Sequence, residues 1–114
     1  MNLTRLIGPH LAKELLFSGR RVSAHEAFEM GIVQRVVSSE SLVDEARRTA
    51  LSFAAASPTS LRAIKRLANA AVDLAYEDAL LVEEECYQSV ILSDDRVEGI
   101  AAFAAHRAPD WVGN

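Results

Sequence analysis

Signals that stop or start a helix recur along this chain at short intervals, and they limit it to short helices in series. Gly8-Pro9 interrupts the apolar stretch Leu3–Ser18, because proline lacks an N–H and disfavours helix in the residue before it. Pro9 then opens a helix that runs to Ser18, and Gly19 suits the left-handed position beyond a helix end. Ser23-Ala24-His25-Glu26 has the form of a capping box, followed by a short helix that stops at Gly31. Ser57-Pro58 places a cap before a proline at the first helical position. Pro109 ends the last helix. Helices are expected over about 40–56, from 58 onward, over about 75–92 and over about 94–107. Ile32–Val37 is the one β-branched run and reads as a short extended segment. The fold class is therefore all-α in the main, with about five or six short helices and one short extended segment near 32–37. No Ser/Gly/Pro-rich linker divides the chain, so residues 1–114 read as one unit.

Composition excludes several function classes. The net charge is −4, which gives no general electrostatic pull on nucleic acid or anionic lipid. Aromatic residues make up 6 %, too few for a base-stacking surface. No apolar run approaches the roughly 20 residues of a membrane span. The opening residues carry no signal-peptide segment, and the single cysteine, Cys86, suits a reducing compartment. These features read as a cytoplasmic protein with no nucleic-acid or membrane partner. With one cysteine and scattered histidines there is no metal constellation. No Gly-rich phosphate loop or Ser-His-Asp arrangement occurs.

Helical spacing assigns faces. Leu42, Ala46, Thr49, Ala50 and Phe53 share one side of the 40–56 helix, and Leu61, Ile64, Ala68 and Ala71 one side of the next. The 75–92 helix carries a main stripe of Tyr76, Ala79, Leu80, Cys86, Tyr87, Val90 and Ile91, while Leu81 and Leu92 lie on another side. A helix apolar on two sides contacts both its own core and something else. Glu83 falls within the main stripe, where a carboxylate needs a cation such as Lys65 or Arg107. In the last helix Val97, Ile100, Ala101 and Ala104 form the expected core face. Gly99, Phe103 and His106 cluster on a different flank, with Gly99 leaving a notch beside the Phe103 ring.

Three segments together resemble a known family. They are Gly19–Val37 (GRRVSAHEAFEMGIVQRVV), Ser57-Pro58 with the following Lys65-Arg66, and Ser93–Phe103 (SDDRVEGIAAF). In order and spacing they are similar to the enoyl-CoA hydratase/isomerase (crotonase) superfamily over essentially the whole chain. The resemblance implies the C-terminal helical region of such a protein, the part that packs the trimer and covers coenzyme A. The N-terminal spiral of ββα units is expected to be absent. That spiral supplies the paired backbone N–H groups of the oxyanion hole and the acid/base carboxylates, so no catalytic residue is assigned. The implied substrate is a coenzyme A thioester in fatty-acid metabolism, and the segment alone is expected to be inactive. The implied partners are further copies, as a trimer or swapped oligomer, or a crotonase catalytic core. The non-enzymatic alternative is an oligomerisation or docking module for full-length crotonases.

By the same resemblance Tyr87, Phe103, His106 and Arg107 are the candidate ligand-binding residues. Tyr87 stands at a common aromatic near the ligand, and Phe103 at the aromatic of the "AF" motif. His106 replaces a lysine that reaches the CoA phosphate, and Ala108 replaces another frequent lysine. Histidine is mostly neutral at pH 7, which leaves Arg107 as the surer cation and weakens phosphate recruitment.

Overall fold

The computed structural model describes residues 2–114. Among them the regular structure is helical throughout: α1 (Asn2–Ile7), α2 (Pro9–Ser18), α3 (Ala24–Glu29), α4 (Leu42–Ala54), α5 (Pro58–Asp73), α6 (Tyr76–Ile91) and α7 (Asp94–Ala104). Residues 32–37 lie outside every helix and pair with no strand.

The capping chemistry behaves as its residues dictate. Gly8 sits at φ 79°, separating α1 from α2, and Gly19 closes α2 at φ 59° with its N–H on the Leu15 carbonyl. The Ser23 and Ser57 hydroxyls accept the Glu26 and Ser60 N–H groups, and Ser93 does the same for Arg96. Two helices end in the same double hydrogen bond. At the end of α3, Ile32 N–H reaches the Ala27 carbonyl and Gly31 N–H the Phe28 carbonyl. At the end of α7, Arg107 N–H reaches the Ala102 carbonyl and His106 N–H the Phe103 carbonyl. The left-handed residue is Gly31 in the first case and His106, at φ 52°, in the second. The turn at His106 thus ends α7 before Pro109 is reached.

The chain gathers into two compact units whose boundary, between Glu45 and Ala46, falls inside α4. The division therefore needs no linker. In the first unit α1 packs on α2, Ala12 and Leu15 are buried, and Arg20 pairs with Glu26 at 2.7 Å. In the second unit α5 and α6 form a tight helical hairpin joined at Leu74-Ala75, and α7 packs on α6. Cys86 and Ala102 are its buried apolar side chains.

The buried faces differ from the expected ones. On α7 the buried residues are Asp95 and Ala102, with Glu98 and Gly99 half-buried on the same side, while Val97, Ile100, Ala101 and Ala104 are exposed. On α5 Leu61 of the expected face is half-buried, with Ala63, Leu67 and Ala70, while Ile64, Ala68 and Ala71 are exposed. On α4 Leu42, Ala46, Ala50 and Phe53 are exposed and only Thr49 of the expected face is half-buried. On α7 the packed side is the one where Gly99 admits the Trp111 ring, and the larger apolar side chains of α4, α5 and α7 stay mostly uncovered within this chain. Glu83 is exposed rather than buried, and so needs no compensating cation.

Candidate functional site

The second unit carries two features of chemical interest, an apolar groove and a carboxylate cluster. The groove lies between α5 and α6, has a volume of about 280 Å³, and is lined by Ser60, Ala63, Ile64, Leu67, Glu83, Cys86, Tyr87 and Val90. Tyr87 is 57 % exposed at its edge. Phe103, His106 and Arg107 do not line it; they stand together at the C-terminal end of α7. Phe103 is 84 % exposed, and the space beside Gly99 is taken by the Trp111 ring, 3.3 Å from where a β-carbon would stand. The expected notch is real, but its occupant is the indole. Arg107 is already engaged: its two Nη atoms donate to Glu98 at 2.5 and 2.9 Å. That fork neutralises the guanidinium locally and lessens its call on an outside phosphate.

The carboxylate cluster gives no cue in helical periodicity. Asp95 is only 2 % exposed. Its Oδ2 accepts the Ser57 hydroxyl at 2.6 Å and the Thr59 N–H at 3.5 Å. Its Oδ1 accepts the Val112 and Gly113 N–H groups, each at 2.9 Å. Glu98 takes Arg107 and, at 2.6 Å, the Asp110 N–H. The Gly113 N–H, then the Ser57 hydroxyl, with smaller help from Val112 and Thr59, hold Asp95 at a pKa of about 2 against the opposing effect of burial. The Arg107 fork, then the Asp110 N–H, hold Glu98 at about 2 as well. A sequence cue did exist: both acids stand in the Ser93–Phe103 segment that carries the family resemblance, yet an acidic first turn is explained equally well by the helix dipole.

Acid stability follows. Between their ordinary values, 3.8 and 4.5, and about 2, the folded chain binds fewer protons on Asp95 and Glu98 than the unfolded chain does. Their contribution is complete above about pH 4.5 and is lost as pH falls to about 2. An acid titration followed by circular dichroism is expected to show this loss, and Asp95→Asn with Glu98→Gln to flatten it. An unchanged acid limb in the double variant would refute the assignment.

Among the described residues, no group of His, Cys, Asp and Glu could hold a metal ion, and no helix is long and apolar enough to cross a membrane.

Comparison with known proteins places this architecture. The family model described as enoyl-CoA hydratase/isomerase matches residues 1–114. The chain is 36 % identical to a carnitinyl-CoA dehydratase of Citrobacter koseri, over 99 % of this chain and 45 % of that protein. It is 38 % identical to a probable enoyl-CoA hydratase of Mycobacterium tuberculosis, over 96 % and 43 %. The crystal structure of an enoyl-CoA hydratase from Bacillus anthracis superposes with a TM-score of 0.95 at 37 % identity, over the whole of this chain and 44 % of the other. The chain spans less than half the length of these relatives. With its helical fold and these matches, the chain belongs to the enoyl-CoA hydratase/isomerase family, and its likeness is to the C-terminal helical part of such a protein.

Proposed function

We propose that this helical segment serves an enzyme acting on acyl-CoA thioesters, and that it has no turnover by itself. The oxyanion-hole donors and the acid/base carboxylates come from a catalytic core outside these residues, in the same or another polypeptide. One observation carries this reading. The two carboxylates that the fold holds far below their ordinary range, Asp95 and Glu98, accept hydrogen bonds from the chain's own tail. A general base needs a lone pair aimed at the substrate proton; here Asp95 accepts four hydrogen bonds and Glu98 is held by Arg107 and the Asp110 N–H. In the complete assembly Tyr87, Phe103, His106 and Arg107 face coenzyme A. Phe103 supplies the aromatic surface and His106 a weak phosphate contact.

The test is hydration of a short-chain enoyl-CoA by the purified chain. No rate above the uncatalysed background is expected. Turnover by the chain alone, lost on Phe103→Ala, would overturn the reading.

A non-enzymatic reading stands second, as an oligomerisation or docking module for full-length crotonases. Leu81, exposed on α6, and Leu92, exposed at its C-cap, favour it.

A further inference from the structure

We infer that residues 109–114 form a strap that closes as one latch, with Asp95 as the residue that positions it. The strap has no helix or strand of its own, so its backbone groups have no regular partners. Asp95 provides them. One carboxylate oxygen takes the consecutive N–H groups of Val112 and Gly113. The other takes the Ser57 hydroxyl and the Thr59 N–H at the start of α5. A single side chain on the first turn of α7 thus ties together α5 and the strap.

The strap makes further bonds of both senses. Thr59 Oγ1 donates to the Asn114 carbonyl at 3.0 Å, and Arg62 donates to the Gly113 carbonyl at 2.5 Å. The Trp111 indole N–H donates to the Ala55 carbonyl at 2.9 Å. Every residue from Asp110 to Asn114 is therefore hydrogen-bonded outside the strap. Two glycines make the seat. Gly99 leaves room for the Trp111 ring, and Gly113, at φ +81°, lies against Pro58. At the near end Glu98 clamps Arg107 and Asp110, just after the left-handed turn at His106.

These contacts are mutually dependent. Thr59 serves Asp95 through its N–H and the strap through its hydroxyl, and Gly113 serves Asp95 through its N–H and Arg62 through its carbonyl. Loss of the carboxylate therefore frees both ends of the network at once. An open strap uncovers the first turn of α5 and the Gly99 notch together.

Native-state hydrogen exchange and Trp111 emission test this, since Trp111 is the chain's one tryptophan. Val112 and Gly113 amides are expected to exchange at a common, slow rate. Asp95→Asn is expected to speed both by roughly tenfold or more, and to shift Trp111 emission to the red, while α1 and α2 amides keep their rates. Ser57→Ala removes one donor to Asp95, together with the cap that accepts the Ser60 N–H, and serves if the Asn variant fails to fold. It is expected to speed Val112 and Gly113 in equal proportion, in step with Trp111. A response at one strap amide alone, or at neither, would overturn the latch.

Discussion

Asp95→Leu is expected to lower the thermal midpoint of the 46–114 unit by roughly 10 °C or more. Leucine keeps the branched skeleton of the carboxylate side chain with bulkier methyl groups and accepts no hydrogen bond. Four donors then lose their acceptor: the Ser57 hydroxyl and the N–H groups of Thr59, Val112 and Gly113. Ser57 and Thr59 are themselves buried, so water cannot replace Asp95 there without opening the fold. Leaving a buried donor unpaired costs more than the bond contributed when made. The neighbouring acid is the control. Asp94 is exposed and holds only the Asn114 side-chain amide at 2.8 Å. Asp94→Asn is expected to move the midpoint by no more than about 2 °C. A calorimetric scan in which both variants melt alike would remove Asp95 from the centre of this unit.

The contrast between these adjacent acids marks what the sequence makes legible. Caps are local: Ser23, Ser57 and Ser93 each act on the N–H three residues ahead, and residue order reveals this at Ser23 and Ser57. The helical fold class, the break at Gly8-Pro9 and the left-handed Gly19 are legible for the same reason. The strap contacts are not local. Ser57 and Asp95 are 38 positions apart, and Trp111 and Ala55 are 56 apart, beyond the reach of any helical period. The reading of Val97, Ile100, Ala101 and Ala104 as a core face fails through a related assumption, that the most apolar side of a helix faces its nearest neighbour. In α7 the nearest neighbours lie on the Asp95–Gly99–Ala102 side, because small residues and a satisfied carboxylate admit the strap. The glutamate at position 83 shows the same error reversed. It lies on a stripe that includes Tyr76, Leu80 and Tyr87, yet all of these are exposed in this unit.

Those uncovered side chains lead to the second large effect. Leu81 on α6 and Leu92 at its C-cap are 66 % and 81 % exposed. Eleven positions bring a helix back to nearly the same side, about 16 Å further along. Cys86, which faces the core, lies about 140° round the helix from Leu81. The two leucines therefore stand on one side of the helix, away from Cys86 and separated by the polar Glu85 and Gln88. Covering each leucine contributes about 1.5–3 kcal/mol, so the pair contributes about 3–6 kcal/mol per copy to an interface that buries it. Set against association costs of at least about 4 kcal/mol, that is enough to decide between monomer and oligomer. The chain is accordingly expected to self-associate, as the proposed role in packing copies requires. Leu81→Glu with Leu92→Glu is expected to weaken association by at least about a hundredfold while leaving the helical signal and the Trp111 emission unchanged. Sedimentation equilibrium on both proteins decides it. Equal association constants would exclude this side of α6 from the interface, and a strictly monomeric parent chain would remove self-association from its role.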